Sequence, residues 1–201
     1  MFIDSHCHLD FPDLVAREDE ILATMAANRV AHALCISVRI EDFPRVRALA
    51  ERHANLWATV GVHPDNADCH EPDEAELVHL ADHPRVVGIG ETGLDYYWNK
   101  DEPEWQRARF RTHIRAARAC GKPLVVHTRS AAADTLRLMR EENAHEAGGV
   151  MHCFTETREV AEAALEMGFY ISFSGIVTFR NAKELKEVAR CIPLERLLIE
   201  T

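Results

Sequence analysis

The first ten residues, Met1-Phe-Ile-Asp-Ser-His-Cys-His-Leu-Asp10, decide how the rest of the chain is read. A short apolar start runs straight into His6-x-His8. On an extended backbone, side chains two apart leave the same face. A strand over residues 2–7 therefore delivers both imidazoles side by side at its C-terminal end. Neutral imidazole is a ready ligand for a divalent ion. Taken alone, two neighbouring histidines are more often surface residues. The weight of the pair depends on where the other histidines fall.

Outward from that strand, short apolar runs alternate with longer amphipathic stretches, the pattern of parallel βα units. Strands are expected at residues 2–7, 33–38, 57–62, 86–90, 123–126, 149–151, 169–173 and 197–199. Helices are expected at 18–29, 43–53, 72–82, 104–120, 131–142, 156–167 and 182–191. Pro64 stops the third strand and holds His63 extended. Pro72 suits the first turn of a helix, and Gly121 and Gly168 suit helix ends. Eight strands joined in this way fit an α/β fold of the TIM type, a (β/α)8 barrel. An open doubly wound sheet fits less well, because no Gly-rich phosphate loop follows the first strand.

A chain of 201 residues can bury one sizeable core, and a single domain over 1–201 is expected. No apolar run is long enough to span a membrane, and there is no signal-peptide pattern at the N-terminus. Six cysteines without a CxxC pair read as buried thiols, which points to a reducing, cytoplasmic setting. A net charge of −10 argues against a protein that coats duplex nucleic acid. It leaves room for an enzyme that grips a few phosphates through bound cations.

On the barrel, His6, His8, His63, Glu91, His127 and His152 all fall at C-terminal strand ends, the rim where barrel enzymes build their sites. Five of the twelve histidines share that rim, which scattered surface residues have no reason to do. His32, His53, His70, His79, His83, His113 and His145 fall in helices or connections and read as solvated. Four imidazoles and a carboxylate exceed what one catalytic zinc needs, so two divalent ions are expected. Two such ions repel, and Glu91 is the carboxylate placed to bridge them, with a water completing the bridge.

Six blocks in order, FIDSHCHLD at 2–10, VGVHP at 60–64, GIGETGLDYYW at 88–98, PLVVHTR at 123–129, MHCF at 151–154 and LLIET at 197–201, resemble the TatD-type metal-dependent deoxyribonucleases of the amidohydrolase superfamily. The resemblance runs the length of the chain. It implies that His6, His8 and Glu91 hold one metal ion and that Glu91, His127 and His152 hold the other. It implies too that His63 contacts the scissile phosphate. The ions would be zinc, manganese, iron or magnesium, and the substrate DNA, as single strands or strand ends, with no membrane and no obligate protein partner. In that family an aspartate follows the Glu-Thr pair as ligand and general base. Here the chain stops at Thr201, so a C-terminally incomplete form is expected, with strand eight lacking its covering helix.

Arg129, two residues past His127, is placed to pair with phosphate. Tyr96, Tyr97 and Trp98 offer faces for stacking on unpaired bases. Asp4 and Asp95 are read as groups that orient ligand imidazoles. Cys7 and Cys153 alternate with ligands and are read as core. The leading expectation is an exonuclease cleaving phosphodiester bonds, with Glu91 and His63 as its catalytic residues. The alternatives are an amide or ester hydrolase on the same scaffold, for example on an aminoacyl ester, and a catalytically silent barrel.

Overall fold

The structure is a computed structural model, and it describes residues 1–98, 100 and 104–201. Its strands are β1 (Phe2–Cys7), β2 (Val30–Cys35), β3 (Leu56–Val60), β4 (Val86–Asp95), β5 (Leu124–Arg129), β6 (Gly149–Met151), β7 (Tyr170–Phe173) and β8 (Leu197–Ile199). Between them run α1 (Pro12–Val15), α2 (Glu18–Ala27), α3 (Phe43–Arg52), α4 (Glu74–Ala81), α5 (Glu104–Cys120), α6 (Ala132–Glu141), α7 (Arg158–Glu166) and α8 (Lys183–Cys191). The strands pair in sequence order and in parallel, as one eight-stranded sheet. Each crossover puts a helix outside the wall, and the sheet curls into the expected barrel. No helix follows β8 among the described residues.

Two apolar layers hold this together. Helix faces such as Phe43, Val46, Leu49 and Ala50 of α3 bury against the outside of the wall. Inside, Ile36, Val125 and Val150 form a second buried cluster with Leu34 and Leu198 against it. Leu34, Val125, Val150 and Leu198 come from β2, β5, β6 and β8, mostly not neighbours, so with Ile36 just past β2 they meet across the lumen.

Several boundaries differ from expectation, each for a local reason. The second strand lies three residues earlier than expected, and His32 sits within it rather than in a connection. Residues 36–38 lie past the regular ladder, where the Ser37 N–H donates to Thr59 Oγ1 (3.1 Å) rather than to a strand carbonyl and the Ser37 hydroxyl donates to the Gly61 carbonyl (3.3 Å). Helix α4 begins after Asp73, whose side chain caps the Glu76 N–H at 2.8 Å, so Pro72 lies outside it. The fourth and fifth strands run on through Asp95 and Arg129, which puts Glu91 and His127 inside strands rather than beyond them. Of the cysteines, only Cys7 and Cys35 are buried, and Cys191 is exposed.

The join between β8 and β1 is of a different kind. Among the described residues no backbone ladder links them. Side chains stitch the gap instead: Ser5 Oγ donates to the Ile199 carbonyl (3.0 Å), while Asp4 accepts from the Thr201 N–H (3.1 Å) and hydroxyl (2.6 Å). On this part of the wall Phe2, Ile3 and Ile199 remain exposed.

Candidate metal centre

The site is built around the Glu91 carboxylate, buried in β4 at the mouth of the lumen. Its placement depends on two glycines. A Cβ on Gly61, just past β3, would come within 2.6 Å of the Gly90 backbone, and one on Gly90 within 2.6 Å of the Val125 carbonyl oxygen, so β4 sits this close to the chain after β3 and to β5 only because these two residues have no side chain. With the strands this near, Glu91 is delivered into the cavity under the rim.

Five imidazoles surround that carboxylate, divided between its oxygens. Oε2 faces His6 Nε2 at 3.3 Å and His8 Nε2 at 4.0 Å. Oε1 faces His152 Nε2 at 2.7 Å, His127 Nδ1 at 3.2 Å and His63 Nε2 at 3.3 Å. The five rim histidines expected from the sequence are thus brought together. His6 and His8 leave β1 as expected, their Nε2 atoms 3.1 Å apart. The His6 ring stacks on that of His152, centroids 3.9 Å apart.

Hydrogen bonds on the outer nitrogens fix two tautomers. His127 Nε2 meets Asp95 Oδ2 at 3.1 Å, so that nitrogen carries the proton and Nδ1 turns its lone pair inward. His63 Nδ1 accepts from the Asp65 N–H at 3.1 Å, which makes Nε2 the donor facing the cavity. His152 Nδ1 lies 3.4 Å from Glu200 Oε1. The outer Nδ1 atoms of His6 and His8 have no hydrogen-bond partner among the described residues.

The charges agree with a cation site. Burial and the neighbouring His6 push the His8 imidazole down to about 4, so at neutral pH it is an uncharged lone-pair donor. Burial alone would lower His152 as well, but Glu91 and Glu200 outweigh it and raise the group to about 10. Burial pushes the Glu91 carboxyl up, and the surrounding His152, His6 and His63 overcome this to hold it well below its usual range. Positive charge is therefore favoured on the His152 side of Glu91, while His8 on the other side stays neutral. His6, His8 and Glu91 present ligand atoms within 4.8 Å of one another, as do His63, Glu91 and His127, and also His6, His152 and Glu200. Imidazole nitrogens gathered around both oxygens of a buried carboxylate are a donor set that fits divalent metal ions.

Above the carboxylate lies an open cavity of about 680 Å³, lined in part by His8, Phe11, His63, Arg129, His152 and Ile176. Arg129 is exposed at its edge, its guanidinium 4.0 Å from the Tyr97 ring centroid and 5.7 Å from that of Trp98.

Other expected site residues stand elsewhere. Tyr96 does not line the cavity; its hydroxyl donates to Asp134 at 2.7 Å and accepts from Arg107 at 3.2 Å. Its ring packs on the core, which leaves Tyr97 and Trp98 as the exposed faces. Asp4 bonds the His6 backbone N–H at 3.2 Å rather than an imidazole. Cys153 is only half-buried and lines the cavity, because its backbone turns to φ 42° after β6. His113, read as solvated, is fully buried. Glu200 was not singled out, although it stands in the LLIET block, because nothing in a strand-end glutamate says which histidine it will face.

Fold and site together define a metal-dependent hydrolase on a (β/α)8 barrel. The chain belongs to the TatD-related DNase family, whose model matches residues 3–201. It is 46% identical over 203 residues to the uncharacterized metal-dependent hydrolase YcfH of Escherichia coli, covering 99% of this chain and 76% of that protein. It is 34% identical over 200 residues to the 3'-5' ssDNA/RNA exonuclease TatD of Citrobacter koseri, covering 98% of this chain and 77% of that one. Among solved structures it resembles the TatD homologue YJJV of Escherichia coli, with a TM-score of 0.91 at 28% identity, over 100% of this chain and 78% of the other. The chain thus spans about three quarters of the length of these relatives.

Proposed function

We propose that the chain hydrolyses phosphodiester bonds of DNA, working from the ends of single strands, at two divalent ions bridged by Glu91. The observation that carries this is the division of Glu91: one oxygen faces His6 and His8, and the other faces His127 and His152. His6, His8 and Glu91 would hold one ion, and Glu91, His127 and His152 its partner. Zinc, manganese and iron suit this ligand set, and magnesium suits it less because imidazole is a poor ligand for it. Such ions supply a nucleophile at neutral pH and charge to steady the phosphoryl oxygens.

The protein's own groups do the rest. His63, its Nδ1 engaged by the Asp65 N–H, offers Nε2–H to a phosphoryl oxygen. Arg129 is positioned to bind a neighbouring phosphate, and the exposed rings of Tyr97 and Trp98 beside it suit stacked, unpaired bases. Attack by water oxygen forms one P–O bond as the water gives up a proton, the bridging P–O bond breaks, and the departing oxygen takes up a proton in its place. The exonuclease named among the relatives supports the choice of nucleic acid over an amide or carboxylic ester.

The test is to incubate the protein with end-labelled single-stranded oligonucleotides and manganese, zinc or magnesium, beside panels of amides and carboxylic esters. Stepwise shortening that stops with a chelator, and in the His127→Ala/His152→Ala double variant, is expected. Metal-dependent cleavage of amides or carboxylic esters, with oligonucleotides left intact, would overturn the proposal.

A further inference from the structure

Helix α5 lies outside the barrel, yet the stripe it turns toward the wall is partly polar. Gln106, Arg109 and His113 follow one another at spacings of three and four, on one helical face. All three are buried, with exposures of 0%, 3% and 0%. Burying such groups costs free energy unless each finds its partners. Each does, and most of the partners are backbone atoms of the segment after β3 and of the end of β4, both of which carry site residues.

His113 Nε2 accepts from the Val62 N–H at 3.0 Å, and its Nδ1–H donates to the Arg109 carbonyl at 2.9 Å. Arg109 donates to the carbonyls of His63 and Asn66, both at 2.8 Å, while Glu71 neutralises its guanidinium and Trp105 stacks on it. Gln106 donates to the carbonyls of Pro64 (3.1 Å) and Asp95 (3.2 Å) and accepts from the Asp95 N–H (2.9 Å). The backbone is therefore gripped on both sides of His63. The same helix fixes Asp95, the carboxylate that orients His127.

We infer that Gln106, Arg109 and His113 are positioning residues: from outside the barrel they set where His63 and the Asp95–His127 pair stand relative to Glu91. The inference rests on reading those groups as parts of the hydrolytic site. An apolar stripe of the same volume would pack the helix equally well. What it would lose is the fixed geometry of the irregular segment around His63 and of the end of β4 at Asp95.

A double-mutant cycle tests this. His113→Leu removes the acceptor for the Val62 N–H and keeps the bulk. Alone it should lower kcat/KM for an oligonucleotide roughly tenfold, the lower end for a change behind a site residue. The loss should nearly disappear when His63 is already alanine, because there is nothing left to position. His113→Gln, which restores an acceptor, should recover most of the rate. Arg109→Lys, which keeps the charge and loses the fork, carries the same cycle if His113→Leu does not fold. Imidazole NMR signals give a reading that needs no activity: those of His63 should shift in the variant while those of His8 stay. Losses that simply multiply in the double variant, or unmoved His63 signals, would overturn the inference. If the parent protein cleaves no oligonucleotide, the functional proposal falls, and the ring signals alone decide this one.

Discussion

Glu91 is asked to serve two groups of imidazoles at once, and its charge matters more than its shape. Glu91→Gln keeps the volume but leaves an amide where a carboxylate stood, so the five facing imidazoles lose their shared anion. Elemental analysis of that variant should find less than half the metal of the parent, and its hydrolysis should fall at least a hundredfold. Parent-like metal content would show that Glu91 bridges nothing. The rim histidines were legible in the sequence because they recur where strands end, and the strands announce themselves by apolar runs. The outer partners were less legible. Asp95 was expected to orient a ligand, and it does meet His127, whereas Glu200 and the real partners of Asp4 depend on the approach of distant strands.

Among the elements, α5 shows where periodicity misleads. Its residues Phe110, Ile114 and Ala117 are buried as an amphipathic reading requires, but Gln106, Arg109 and His113 are buried beside them. Helical patterning assigns polar residues to the solvent face, and it has no term for backbone carbonyls waiting outside the helix. The opposite side of α5 behaves as patterning expects. There Arg111 and Arg115 both reach Glu142, just past α6, at 2.7–2.9 Å. The Arg115 hydrogen bond, against the opposing effect of burial and with help from Arg111, holds the Glu142 carboxyl below its ordinary 4.5. A depressed carboxylate stabilises the fold above its unfolded-state value, and the gain is lost as pH falls through the folded value. Glu142→Gln should therefore cost about 1 kcal/mol in denaturant unfolding at pH 7, since Arg115 is half exposed, and the cost should shrink steadily as pH falls below 4.5. A cost that does not change as pH is lowered would assign the effect to packing.

For the molecule as a whole, the centre gathers residues from β1, β4, β5 and the segments after β3 and β6, so an ion bound there ties most of the wall together. Anything that binds the folded state alone stabilises it by mass action, about 2.7 kcal/mol at a hundredfold excess over Kd. For a chain of this size that is a rise in Tm of roughly 5–10 °C. Manganese or zinc should produce it, a chelator should reverse it, and the His127→Ala/His152→Ala variant should show little of it. An equal shift in that variant would place the stabilising ion elsewhere.

The stitched join between β8 and β1 bears on this too. His6 lies in β1 and His8 just past its end; among the described residues β1, like β8, has a ladder on a single side, with Asp4 and Ser5 reaching across the other. Amide hydrogens of β1 should exchange with solvent deuterium faster than those of β4, which is paired on both sides. Ion binding should slow β1 the most, because the two imidazoles can grip an ion together only while their strand stays in place. The affinity of the centre would then depend on how often that wall opens as well as on the ligands it presents.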